Sequence, residues 1–100
     1  LVHRGAAQVI GVDLRESCIA TAKRNAEAAG MRYRCLFTTD PAEVEADAIV
    51  SLDSFEHFDD PAGILDVMHG LLRPGGTVVT SFGPTWYHPY GGHSLSAFPW

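Results

Sequence analysis

The sequence predicts an α/β fold with a mostly parallel sheet and flanking helices. Short apolar runs typical of strands alternate along the chain with segments in which apolar residues recur every three or four positions. Two Asp-Pro pairs and a Pro-Gly-Gly turn stand where we expect helices to begin and end. Strands that alternate with helices form βαβ units, which place the strands parallel to one another.

The first half of the chain predicts a strand, a helix and a second strand. Gln8 to Asp13 is an apolar run that ends in a carboxylate. An amphipathic helix is expected from about Glu16 to Ala29, and Gly30 supplies its stop. From Met31 to Phe37, apolar and polar residues alternate with the period of a strand. The buried face of the helix is expected to be Ile19, Ala22, Ala26 and Ala29.

The middle of the chain predicts a short helix and then a buried strand. In the segment from Asp40 to Glu43, an aspartate cap is followed by proline and then by glutamate three residues on. This order is that of a capping box, and a short helical turn should follow it. The compact apolar run Ala48–Leu52 indicates a strand buried on both faces, as parallel sheets require.

The last third predicts a helix, a strand and an aromatic segment. Asp60-Pro61 opens the helix, Pro74-Gly75-Gly76 ends it, and residues 77–82 form a β-branched strand. Residues 84–100 are expected to form an aromatic loop or lid, distinct from a cofactor-binding domain at residues 1–83. The buried stripe of the helix is expected to be Ile64, Leu65, Met68, Leu71 and Leu72.

Composition narrows the class of protein. With 46% hydrophobic and 19% charged residues, the chain is typical of a globular domain. A net charge of −5 does not favour nucleic acid as a partner. No apolar run approaches the roughly 18 residues needed to span a bilayer. Two isolated cysteines make no disulfide framework, so we expect a cytoplasmic protein with reduced thiols.

Asp13 is the first candidate functional residue, because it stands at the carboxyl end of a predicted strand. In doubly wound folds this edge faces the ligand crevice, and a carboxylate there accepts hydrogen bonds from ribose hydroxyls. The alternative is a strand terminus whose aspartate merely starts the next helix. A glycine-rich loop would belong before this strand, and we expect the chain to be part of a longer domain that contains it.

A resemblance becomes specific further along the chain. Asp53-Ser54-Phe55-Glu56-His57-Phe58 is followed by Asp60-Pro61 and, after one helix, by Leu71-Leu72-Arg73-Pro74-Gly75-Gly76. Together with Val12-Asp13, this order resembles the class I S-adenosylmethionine-dependent methyltransferases, in particular the small-molecule group of ubiquinone-biosynthesis-like enzymes. The resemblance implies a Rossmann-like methyltransferase fold, incomplete at both ends, and methyl transfer from S-adenosyl-L-methionine to a small-molecule acceptor.

The resemblance also implies roles for individual residues in the cofactor site. Asp13 would bind the two ribose hydroxyls, Leu14 would pack beside the adenine, and Asp40 would accept a hydrogen bond from the adenine amino group. Asp40 can equally serve only as a helix cap. Asp53 and Ser54 would line the cofactor, although both are also common turn formers.

The acceptor site is expected to involve the second half of the chain. His57 is the candidate general base, because an imidazole titrates near neutrality and can take a proton from an acceptor. Its alternative is a histidine in a helix-cap region without a catalytic role. No metal is predicted, since a lone Glu-His pair supplies too few ligands for a closed site. The residues expected to contact the acceptor are Glu56, Trp86, Tyr87 and Tyr90.

Two other functions remain open from the sequence: a non-catalytic Rossmann-like binding or scaffold module, and an NAD-dependent dehydrogenase. The family places its first strand between the strand ending at Asp13 and the strand ending at Leu52. Without that strand, central apolar surface would stay open. We therefore expect the 100 residues alone to be inactive, and to be unstable or to aggregate.

Overall fold

The computed structural model describes residues 1–81, which fall into two compact units: Leu1–Val44 and the described part of Glu45–Trp100. Both units combine helix with parallel strands, so the predicted α/β class is confirmed. Each unit contains a two-stranded sheet. The predicted lid at residues 84–100 lies outside the described residues, and the boundary at residue 83 stays a prediction.

The first unit consists of a short 3-10 turn, two strands and one helix. Strands β1 and β2 pair in parallel, with Val9 opposite Cys35 and Val12 opposite Thr38. Gly11 lies opposite Phe37, and a Cβ on this glycine would come within 2.8 Å of the phenylalanine ring. The elements are the turn Val2–Arg4, β1 at Val9–Val12, α1 at Glu16–Ala28 and β2 at Cys35–Thr38.

The sequence pattern of α1 is largely confirmed. Ile19 and Ala26 are buried, Ala22 is half-buried, and only Ala29, beyond the end of the helix, is exposed. Gly30 then adopts a φ of +69°, which glycine reaches without the steric cost of a side chain. The amphipathic pattern therefore located both the helix and its buried face.

The strand predicted from Met31 is shorter than its alternating pattern suggests. Residues 32–34 form a turn, in which the Arg34 amide donates to the Met31 carbonyl oxygen at 2.9 Å, and β2 begins only at Cys35. Tyr33, one of the apolar positions in this alternating pattern, is 83% exposed, and the Arg32 guanidinium lies over its ring. The Arg34 side chain donates to the carbonyl oxygens of Ala6 and Ala7, which fastens this turn to the segment before β1.

The short helix predicted after Asp40 is absent. Its cap forms, because the Asp40 carboxylate accepts a hydrogen bond from the Ala42 amide at 2.9 Å. One further bond, from the Val44 amide to the Pro41 carbonyl oxygen, closes a single turn. Strand β3 begins at Ala46, so the chain has no room to add a second helical turn.

The second unit contains β3, a 3-10 turn, α2 and β4. The strands are parallel, with Ala48 opposite Thr77 and Leu52 opposite Ser81. Asp60 caps α2 as predicted: its carboxylate accepts from the Gly63 amide at 2.9 Å, and Pro61 is the first helical residue. The elements are β3 at Ala46–Leu52, the 3-10 turn at Phe55–His57, α2 at Pro61–Leu71 and β4 at Leu72–Ser81.

Burial in the second unit is lower than the sequence predicts. β3 is not buried on both faces: Val50 is 42% exposed and Leu52 is 58% exposed. In α2, Ile64, Met68 and Leu71 are half-buried, whereas Leu65 is exposed. Apolar strand and helix faces of this kind bury their surface only when a neighbouring layer covers them.

The Pro-Gly-Gly turn does not end α2 as predicted. The helix ends at Leu71, and Pro74-Gly75-Gly76 lies in the first part of β4, where the register slips between the Ala46 and Ala48 pairings. Gly75 has a φ of +83°, and a Cβ on Gly76 would come within 2.9 Å of the Arg73 carbonyl oxygen. The two glycines therefore allow the backbone to adopt the irregular conformation at this register shift within β4.

Candidate functional site

In the first unit, two predicted cofactor residues follow the carboxyl ends of paired strands. Asp13 comes directly after β1, and Asp40 comes two residues after β2. Val12 and Thr38 are partners in the parallel register, and the Asp13 amide donates to the Thr38 carbonyl oxygen at 3.3 Å. The two carboxylates therefore belong to one edge of one sheet, which is the ligand-binding edge of open α/β sheets.

Asp13 is held from one side by the start of α1. Its Oδ1 atom accepts from the backbone amide of Arg15 at 2.8 Å and from the Arg15 Nε at 3.3 Å. The backbone hydrogen bond is the main cause that lowers the pKa of Asp13, assisted by the Arg15 side chain and the Cys18 thiol. Asp13 is thus an ionised, half-buried acceptor at neutral pH.

Asp40 is held by Thr38 and by its own turn. The Thr38 hydroxyl donates to the Asp40 carbonyl oxygen at 2.8 Å and accepts from the Asp40 amide at 3.0 Å. The Asp40 Oδ1 atom accepts from the Ala42 amide. Asp40 therefore caps its own turn through Oδ1. The residue is exposed, and its bond to Ala42 uses only one of the two carboxylate oxygens.

Apolar surface lies beside both acids. Leu14, the predicted neighbour of the adenine, follows Asp13 and is 90% exposed. Asp40 lines an open groove of about 650 Å³, whose apolar lining includes Phe37 and Val44. Asp13 and Leu14 do not line this groove, so it adjoins the strand-end site and does not coincide with it.

In the second unit, Asp53 follows β3 in an unusual backbone conformation. Its φ is +49°, the left-handed region that aspartate tolerates better than most residues with a side chain. The Asp53 amide donates to the Ser81 carbonyl oxygen at 3.0 Å, and the Ser81 hydroxyl donates to the Asp53 carboxylate at 3.3 Å. The end of β4 therefore fixes the point at which the chain leaves β3.

The predicted catalytic segment forms a 3-10 turn directly after this point. Ser54 donates from its hydroxyl to the Leu52 carbonyl oxygen at 2.9 Å and accepts at its own carbonyl oxygen from the His57 amide at 3.0 Å. Glu56 and His57 are both exposed on this turn. Phe55 and Phe58 pack edge to face with ring centroids 5.3 Å apart. This aromatic contact joins the first residue of the turn to the residue that follows the turn.

The other predicted site residues, Trp86, Tyr87 and Tyr90, lie outside the described residues. Within residues 1–81, no group of three or more His, Cys, Asp or Glu side chains could hold a metal ion. In the same part of the chain, no helix is both long and apolar enough to cross a membrane.

Sequence reasoning missed three residues that hold the predicted acids: Arg15, Thr38 and Ser81. Thr38 and Arg15 are within two positions of their acids, and a threonine or arginine so near a strand end could have been examined as a local partner. Ser81 is 28 positions from Asp53, and only the pairing of β3 with β4 brings them together.

Comparison with known proteins assigns the family. The methyltransferase domain family matches residues 1–80. A ubiquinone biosynthesis O-methyltransferase from Neisseria meningitidis serogroup C is 34% identical over 87 residues, covering 81% of this chain and 37% of the relative. Proteins of the same name from Ruegeria pomeroyi and a Bradyrhizobium species are 34% and 39% identical over 79 residues, covering 75% of this chain and 32% and 31% of each relative.

The chain thus spans about a third of the length of the curated relatives it matches. The family match covers the strand-end acids, the 3-10 turn with Glu56 and His57, and nearly all of β4. The resemblance noted from the motifs is therefore confirmed, and the chain belongs to the methyltransferase domain family.

Proposed function

We propose that the protein to which this chain belongs transfers a methyl group from S-adenosyl-L-methionine to a hydroxyl oxygen of a small-molecule acceptor. The observation that carries the proposal is the pair of acids Asp13 and Asp40 at the carboxyl ends of two paired parallel strands. The relatives' names as O-methyltransferases support oxygen as the acceptor atom.

The residues of the first unit fit the nucleoside part of this cofactor. Arg15 donates to the Oδ1 atom of an ionised Asp13, and the carboxylate would accept hydrogen bonds from the ribose hydroxyls. Asp40 offers an acceptor for the adenine amino group, and the exposed Leu14 offers apolar surface for the base. This donor and acceptor set suits a nucleoside without phosphates, because dinucleotides need a pyrophosphate cradle as well.

Asp53, Ser54 and the turn that follows them would border the reacting groups. When bound, the cofactor would supply a methyl group on a positively charged sulfur, and the sulfur would depart as a neutral thioether. The protein then contributes chiefly alignment, which is worth up to about 7 to 11 kcal/mol in favourable cases. His57 would accept the proton of the acceptor hydroxyl, and Glu56 would contact the acceptor together with Trp86, Tyr87 and Tyr90.

Membership in the methyltransferase domain family removes the support for an NAD-dependent dehydrogenase. A scaffold that kept the fold and lost catalysis is the other outcome of the test. We further propose that the protein is cytoplasmic and acts on a small molecule. Its net charge of −5 does not favour nucleic acid as a partner.

The test is calorimetric titration of the full-length protein with S-adenosylmethionine and with S-adenosylhomocysteine, together with a methyl-transfer assay on small molecules that carry a hydroxyl group. We expect both ligands to bind and Asp13→Ala to weaken binding by about 10- to 100-fold, because hydrogen bonds to a charged group are lost. Asp66→Ala, which removes an exposed acid from α2, is the matched control. Failure of the wild-type protein to bind either ligand would rule out the proposal, and binding without turnover of any acceptor would favour the scaffold.

A further inference from the structure

Thr38 touches both acids of the first unit through different atoms. Its carbonyl oxygen accepts from the Asp13 amide, whereas its hydroxyl group both donates to the Asp40 carbonyl oxygen and accepts from the Asp40 amide. No role follows for Thr38 from the family match or from the motifs. We propose that Thr38 is a positioning residue that aims the Asp40 carboxylate at the adenine amino group; this inference depends on the proposed function.

The geometry explains why a hydroxyl is needed at this position. Asp40 follows the strand by two residues, so no ladder hydrogen bond to β1 holds its backbone. The two bonds to the Thr38 hydroxyl, at 2.8 and 3.0 Å, fix both polar groups of the Asp40 main chain. A serine or threonine hydroxyl commonly closes such a turn on the backbone two residues ahead.

Fixing the main chain of Asp40 also restricts its side chain. The Asp40 Oδ1 atom is already bonded to the Ala42 amide, so a fixed main chain leaves Oδ2 in one position. A hydrogen bond made from a pre-positioned acceptor loses less conformational entropy than one made from a mobile side chain. Thr38 therefore supports the recognition of adenine without touching it.

This role predicts a loss of base selectivity when the hydroxyl is removed. The probes are S-adenosylhomocysteine and its hypoxanthine counterpart, which carries an oxygen in place of the adenine amino group. We expect the full-length wild-type protein to prefer the adenine ligand, and Thr38→Val to lower this preference by about two- to tenfold, the range of one net hydrogen bond. Thr38→Ser keeps the hydroxyl and should restore the preference.

Two further variants make the result specific. Thr39→Val removes an adjacent exposed hydroxyl and should leave the preference unchanged. Because Thr38 acts through Asp40, combining Thr38→Val with Asp40→Asn should lower the preference no further than Asp40→Asn alone.

Three results would overturn the inference. An unchanged base preference in Thr38→Val, even with weaker overall binding, would show a structural role only. Equal binding of both ligands by the wild-type protein would show that the adenine amino group is not recognised, so Thr38 would have no such recognition to support. If the wild-type protein bound neither ligand, the proposed function would fail first and the inference with it, which separates that failure from the other two.

Discussion

The two units hold their predicted acids in different ways. In the first unit, Asp13 and Asp40 each accept from a backbone amide two residues ahead, that of Arg15 or Ala42. In the second unit, Asp53 accepts from the side chain of Ser81, which is 28 positions away. The first arrangement is local and survives most substitutions of the donor residue, whereas the second requires the pairing of two strands.

This difference agrees with the roles that we propose for the two units, cofactor binding for the first and reaction for the second. A cofactor anchor works as a fixed acceptor, and a backbone amide is a donor that a side-chain substitution does not remove. The turn with Glu56 and His57 instead follows a left-handed Asp53, whose conformation costs about 1 to 3 kcal/mol and persists only where the surroundings enforce it. We therefore propose that the first unit mainly binds the cofactor and that the second unit mainly takes part in the reaction.

The largest expected effect tests this division directly. His57→Gln should lower kcat for an oxygen acceptor by about a hundredfold or more, because general-base catalysis contributes about 10²- to 10⁴-fold. The dissociation constant of S-adenosylhomocysteine should not change, since we assign cofactor binding mainly to the first unit. Steady-state kinetics and calorimetry on the full-length protein measure the two quantities.

The matched control is His69→Gln, which changes an exposed histidine in the last turn of α2. It should leave both kcat and cofactor affinity at wild-type values. Loss of cofactor affinity in His57→Gln with kcat intact would break the proposed division between the units.

The same comparison explains what could be predicted from the sequence. The strand end before Asp13, the Asp60 cap and the buried face of α1 depend on neighbours within one or two turns, and the sequence pattern located all three structural features. The prediction of a helix after Asp40 was wrong, although its capping signal was correct. Because β3 begins six residues after Asp40, the chain has room for only one turn. The contact between Asp53 and Ser81 depends on strand register, which no local pattern contains.

Residues 72–77 show the same limit. Pro74-Gly75-Gly76 is a strong stop signal, yet α2 ends earlier, at Leu71, and the glycines accommodate a shift of register in β4. The Arg73 guanidinium lies 3.0 Å from Asp47 and 3.4 Å from Glu45 beside this shift, and its bond to Asp47 is the main cause that raises the pKa of Arg73. Local signals place a turn, but pairing with β3 decides how the chain uses it.

A smaller effect is expected from Ser81→Ala, which sharpens the contrast between local and non-local support. It removes the side-chain donor to Asp53 and should lower the free energy of unfolding by at most about 1 kcal/mol. It should also lower kcat, because the left-handed Asp53 then depends on the backbone bond to the Ser81 carbonyl alone. Chemical denaturation and steady-state kinetics measure the two effects.

Two substitutions provide the comparison for Ser81→Ala. Thr80→Ala changes an exposed neighbour on β4 and should leave kcat unaltered. Ala42→Ser changes a residue whose backbone holds Asp40 and should leave cofactor affinity unaltered, because its amide is retained. If Ala42→Ser lowered cofactor affinity by the same factor as Ser81→Ala lowers kcat, the two units would not differ in how they tolerate substitution of the donor residue.

The smallest expected effect concerns the pH dependence of Asp13. Its lowered pKa means that its hydrogen bonds stabilise the fold fully above the ordinary pKa of an aspartate, and that this stability is lost as pH falls through the lowered value. Arg15→Met removes the side-chain bond but keeps the backbone amide, which is the larger cause, so the pKa of Asp13 should rise only part of the way. Carbon NMR titration of the Asp13 carboxyl group measures this rise, and Arg24→Met, at an exposed arginine bonded to Thr21, should cause none. A return of the Asp13 pKa to the full ordinary value in Arg15→Met would mean that the arginine side chain holds the acid, and the local backbone support that distinguishes the first unit from the second would be lost.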